Sequence, residues 1–183
     1  PLANAGAWAL AIQPDGKIVI AGYTEGPLFE KQTKALQFRV EASRLSDLAL
    51  FHTTDFALAR LNTDGSPDIT FGNAGKVITG LTMGDIAYAL VIQPDGKIVA
   101  AGETFDFISD CSALVRYNPN GTLDPSFAIG GTTITCTSNK LPMAATSVAL
   151  QSDNKLITGG ITVDSDGKSG YEFALNRYTV EGL

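Results

Sequence analysis

A chain of 183 residues and 19.2 kDa is long enough for one domain with a sizeable core and too short to expect several. Hydrophobic residues at 44% against charged residues at 17% exclude a disordered tail, and no run nears the roughly 18 apolar residues that a membrane-spanning helix needs. Thirteen Lys+Arg against nineteen Asp+Glu give a net charge of −6, the wrong sign for gripping nucleic acid or anionic lipid through bulk charge, so neither partner is expected.

The first element alternates small and large apolar side chains, Ala7, Ala9 and Ala11 against Trp8, Leu10 and Ile12. Both faces are apolar, as in a strand covered on both sides. Pro14, Asp15 and Gly16 then form a hairpin turn, with proline presetting φ and glycine accepting the left-handed conformation. A partner strand returns over 17–22. An insertion follows at about 24–54. Its middle, 36–42, alternates like a strand, yet 30–50 holds neither Gly nor Pro and also fits a helix with Leu36, Val40, Leu45 and Leu48 inward. A strand over 55–62 meets a turn at Thr63, Asp64 and Gly65, and a short loop carrying Asp68, Phe71 and Gly75 leads to a strand at 77–79.

The same order then recurs. Ile-Gln-Pro-Asp-Gly-Lys-Ile-Val stands at 12–19 and again at 92–99, with a weaker copy at 150–157 in which Asn154 takes the glycine position. The segment at 55–62 is echoed at 111–118 and 172–179, and Asp68, Phe71 and Gly75 reappear as Asp124, Phe127 and Gly131. The recurring glutamines lie 80 and 58 residues apart and the recurring arginines 56 and 61 apart, so the unit is about 58 residues and the first copy carries about twenty extra. One repeat domain over 1–183 is expected, divided into 1–80, 81–138 and an incomplete 139–183.

Four short strands per unit, joined by tight turns, predict an all-β chain of β-propeller blades. A β-sandwich would place polar residues on the outward face of each strand, which these strands do not do. The repeated strings, together with DFALARLNTDGSPDITFGNAG at 55–75, resemble the bacterial delta-60 repeat, a predicted β-propeller module. The resemblance implies secreted or cell-surface bacterial proteins of mostly unassigned function, and it brings no catalytic residues.

Three units with eleven strands cannot close a ring, since propellers close with about four to eight blades. Either the chain is a segment of a longer one, or copies assemble, two making six blades, or the units form an open lateral array. A structural or binding scaffold without enzymatic activity is the expected function. The alternatives are a glycan-binding propeller and a hydrolase or lyase with its site on the insertion.

Candidate chemistry is sparse, and each candidate has a plainer account. Cys111 and Cys136 flank an antiparallel pair whose ends face each other, so a disulfide is expected, closing a loop of about 25 residues and favouring an oxidising compartment. Arg60 with Asp68 and Arg116 with Asp124 repeat at a spacing of eight, as an anion site or, more simply, as ion pairs within each blade. No cofactor is expected apart from one candidate cation: Asp164 and Asp166 before Gly167, with Glu172 reaching back, resemble part of a calcium loop, although a plain polar hairpin turn is the better account of them. His52, the sole histidine, has no serine elbow or further ligands around it in the sequence. Trp8 and Tyr88 occupy equivalent positions where a glycan-stacking platform would put aromatics, but the third copy has Thr146 there, and packing between blades accounts for them too.

Overall fold

The computed structural model describes residues 4–25, 54–105, 109–137, 141–163 and 170–183. Eleven strands form three antiparallel sheets: β1 (Ala5–Ile12), β2 (Ile18–Glu25), β3 (Thr54–Leu61) and β4 (Lys76–Thr79); β5 (Gly84–Ile92), β6 (Ile98–Phe105), β7 (Asp110–Tyr117) and β8 (Thr132–Thr135); and β9 (Met143–Leu150), β10 (Leu156–Val163) and β11 (Tyr171–Tyr178). Each sheet is a meander in chain order. The described residues are therefore all-β, a partial propeller of two four-stranded blades and one three-stranded blade. The insertion joins β2 to β3. Its residues at 26–53, with His52 among them, lie outside the described residues, as do Asp164 and Asp166 of the calcium-like loop.

The hairpins form as turn chemistry dictates. Gly16 and Gly96 take φ of 82°, and Asn154, their counterpart in the third blade, takes φ of 63°, the left-handed region that asparagine tolerates best after glycine. The aspartate before each donor turn closes it from the side, with Asp15, Asp95 and Asp153 accepting the backbone N–H of Lys17, Lys97 and Lys155 at 3.1–3.2 Å.

β5 packs on β1, β2 and β3, and β9 packs on β5, β6 and β7. The first strands thus follow one another along the seam where sheets approach, so β1, β5 and β9 lie innermost and the short β4 and β8 outermost, an order the repeat pattern left open. Alternation within each strand then divides its side chains between two neighbours. Val19, Ala21, Phe56 and Leu58 of the first blade meet Ile98, Ala100, Ala113 and Val115 of the second in one core. Val99, Ala101 and Leu114, on the other face of the second blade, meet Ala145, Leu156 and Tyr178 of the third in a second core. The middle blade is covered on both faces, which is why β6 and β7 place apolar residues on both sides.

Two buried devices link successive blades. The Tyr117 hydroxyl donates to Thr79 Oγ1 at 2.8 Å, and Tyr178 and Thr135 repeat the contact at 3.0 Å. Burial and the nearby Asp85 charge push the Tyr117 hydroxyl well above the usual tyrosine range, only partly offset by its bond to Thr79, so it stays a donor. At the β4–β5 connection, fully buried Asp85 accepts Leu81 N–H at 2.7 Å and the Thr104 hydroxyl at 2.5 Å, and its own N–H donates to Thr54 Oγ1 of the first blade at 3.1 Å.

Each innermost strand carries a β-bulge, at Trp8, Tyr88 and Thr146. Opposite it stands a glycine, Gly22, Gly102 or Gly160, where a Cβ would collide with the carbonyl oxygen of Gly6, Ile86 or Ala144. The bulge brings backbone to backbone and leaves no room for a side chain. Gly102→Ala is expected to cost about 3 kcal/mol or to prevent folding, read as the midpoint of thermal or urea unfolding by circular dichroism. The disulfide joins Cys111 in β7 to Cys136, one residue past β8, with Cα atoms 4.5 Å apart. Because it closes a loop of 25 residues, replacing both cysteines by alanine should lower stability by about 3 kcal/mol, measured by denaturant titration with and without reductant.

Candidate functional site

The recurring charges converge where one blade meets the next. In the first blade, Arg60 Nε donates to Asp68 at 2.8 Å, Lys17 Nζ lies 3.0 Å from the same carboxylate oxygen, and the guanidinium stacks 4.6 Å from the Phe71 ring centroid. Arg60 Nη1 then crosses the junction and donates to the Pro119 carbonyl of the second blade at 2.5 Å. The second blade repeats every part: Arg116 to Asp124 at 2.7 Å, Lys97 to Asp124 at 3.2 Å, Arg116 over Phe127 at 4.5 Å, and Arg116 Nη1 to the Val180 carbonyl of the third blade at 2.6 Å.

Local backbone conformation makes this clasp possible. Asp68 and Asp124 are each held by the following turn, Asp68 by Thr70 and Asp124 by Ser126, through both the backbone N–H and the hydroxyl. The receiving turn must pass close to the phenylalanine: Gly121 and Gly182 have φ of 89° and 85°, and a Cβ on either would press on Phe71 or Phe127. A backbone bond from Gly72 to Asn120, matched by Ala128 to Glu181, closes the arrangement.

Electrostatically the clasp is self-contained. Burial works to raise the Asp124 pKa, but hydrogen bonds from Ser126 and the Lys97 and Arg116 charges outweigh it and hold the group at about 2. Asp68 is depressed further, first by the Thr70 hydroxyl and the Lys17 ammonium. A cleft of about 410 Å³ opens beside the second clasp, lined by Asp95, Lys97, Arg116 and Glu181 among others. Both cations in it already face carboxylates, Lys97 reaching Asp95 and Asp124, and Arg116 reaching Asp124.

Trp8 and Tyr88 do come together. Their rings meet edge to face at 6.0 Å, with Trp8 61% exposed and the Tyr88 hydroxyl donating to Glu103 at 2.6 Å. Partial burial and then the bond to Glu103 push the Tyr88 hydroxyl above its ordinary range. Glu172 stands exposed on β11. Among the described residues no group of three His, Cys, Asp or Glu is placed to hold a metal ion.

The sequence pattern pairs arginine with aspartate inside one blade and misses two features: the crossing hydrogen bond and the lysine. A signal for the lysine was present, since Lys17, Lys97 and Lys155 recur directly after each first turn. The crossing bond ends on a backbone carbonyl, which leaves no trace in residue identity.

A family model described as a domain of unknown function (DUF5122) beta-propeller matches residues 13–27, 51–71 and 93–127. This match supports a β-propeller family. All eight clasp residues of the propeller, Lys17, Arg60, Asp68 and Phe71 with Lys97, Arg116, Asp124 and Phe127, fall inside the matched segments. No curated protein matches the chain.

The clasp gives the propeller an acid-sensitive element. Asp124 titrates near 2 when folded and near 3.8 when unfolded, so its contribution is complete above about pH 4 and is lost as pH falls through 2. Asp124→Asn is expected to cost about 2 kcal/mol at neutral pH and to flatten the stability loss between about pH 4 and 2, checked by urea titrations across that range.

Proposed function

We propose that this chain is a non-enzymatic structural or binding scaffold of a secreted or cell-surface bacterial protein, built from blades of the delta-60 repeat kind. The observation that carries this reading is the fate of the recurring charges. Lys17, Arg60 and Asp68, and their counterparts in the second blade, are spent on holding neighbouring blades together, where a repeated catalytic or ligand site would direct them into a cleft. The Cys111–Cys136 disulfide supports an oxidising compartment, and no helix among the described residues is long and apolar enough to cross a membrane. On this reading the chain works as part of a larger assembly, either with the remainder of a longer chain or with copies of itself.

The purified protein is expected to turn over no substrate in a broad screen of hydrolase and lyase chromogens. Turnover that survives purification and disappears with His52→Ala or with a single acidic substitution would overturn the scaffold reading. A second reading, glycan binding, is favoured by one observation, the edge-to-face pair of exposed Trp8 and half-buried Tyr88. A glycan array on which binding is lost with Trp8→Ala and with Tyr88→Ala, while circular dichroism is unchanged, would support that reading, and a silent array counts against it.

A further inference from the structure

The junction between blades is made twice within the chain, and its two unmatched halves stand at opposite ends of the stack. We propose that a second copy of this chain docks head to tail on the first, the open face of the third blade in one copy against the open face of the first blade in the other, so that two copies close a six-bladed ring. The proposal rests on the self-assembly branch of the scaffold reading and names its faces; a monomer would overturn it and leave the expected absence of turnover untouched.

Each internal junction has an upstream half and a downstream half. The upstream half offers Phe56 and Leu58, fully or almost fully buried, and an arginine that reaches across. On the third blade, Phe173 and Leu175 hold those two positions and are 100% and 76% exposed. Arg177 holds the arginine position, exposed and without a hydrogen bond or ion pair among the described residues.

The downstream half offers apolar residues of the innermost strand and a turn that receives the arginine. Leu90 and Ile92 of β5 pack against the core between the first and second blades, whereas their counterparts Leu10 and Ile12 of β1 are each 67% exposed. In the receiving turn, Thr63 stands where Pro119 and Val180 accept an arginine hydrogen bond. Gly65 matches Gly121 and Gly182, where an added Cβ would press on a phenylalanine, yet a Cβ on Gly65 would meet nothing within 4 Å. The same turn carries the exposed carboxylate of Asp64, an opposite charge for Arg177.

Every group that one end leaves uncovered is thus of the kind that the other end's half-junction buries or binds. A contact between unlike faces repeats until it closes, and three blades per copy bring two copies to six, inside the range at which propellers close.

The test is the mass in solution of the 183-residue chain, by sedimentation velocity from about 1 to 100 µM, around the range where a weak dimer dissociates. A discrete species of twice 19.2 kDa is expected. Phe173→Asp alone and Leu10→Asp alone should each be monomeric with unchanged circular dichroism, since both side chains are exposed in the single copy. Mixing the two variants should restore a dimer, weaker than that of the wild type, because one of the ring's two junctions then pairs two unaltered faces. Arg177→Ala should weaken dimerisation about tenfold or more. A wild-type chain that stays monomeric throughout, either aspartate variant alone remaining dimeric, a mixture that fails to associate, or a ladder of ever larger species would each overturn the proposal.

Discussion

The structure depends on one charged hydrogen bond that leaves its own sheet. An arginine whose Nε binds an aspartate that a lysine also pairs with, whose Nη2 donates to the Thr70 or Ser126 hydroxyl, and whose plane lies over an aromatic ring has Nη1 left over, and that nitrogen fixes the neighbouring blade by a backbone carbonyl. A charged donor to a carbonyl in a nearly dry site is among the stronger hydrogen bonds a protein makes. Its geometry is also demanding: the aspartate must be pinned by its own turn, and the receiving turn must have glycine where it passes the ring. Apolar contacts would allow two sheets to slide, whereas this bond sets their register.

That arrangement explains why the repeat is so strictly kept in some places and loose in others. Lysine, arginine, aspartate, phenylalanine and the turn glycine act as one set, so a change to any of them leaves a buried charge or a void. The apolar positions between them need only fill space. The second blade has Ser112 where the first has Phe56, and the core adapts. Stability in such a stack is close to a sum over blades and junctions, and the middle blade, with a junction on each side, is the best held.

Much of this was legible in the sequence. The eight-residue string at 12–19 and 92–99 gave the repeat, its turn residues gave the hairpins, and alternation on both faces gave blades in place of a sandwich. The disulfide followed from where Cys111 and Cys136 fall in the strand pattern. What could not be read depends on groups without a side-chain signature. The Pro119 and Val180 carbonyls belong to the backbone, and which strand lies innermost is set by how sheets approach, while a cyclic pattern has no privileged start. The ring contact between Trp8 and Tyr88 also needed coordinates, since equivalent positions in a repeat do not say which way a bulged residue points.

The bulge on each innermost strand has an evolutionary consequence. It takes one residue out of the pairing ladder, and the three blades carry tryptophan, tyrosine and threonine there. The steric constraint of close backbone approach falls on the glycine across from it, so the bulged position accepts side chains as different as tryptophan and threonine. Blades of one architecture can therefore diversify at the inner rim, one position per blade, while the scaffold that carries them stays constant.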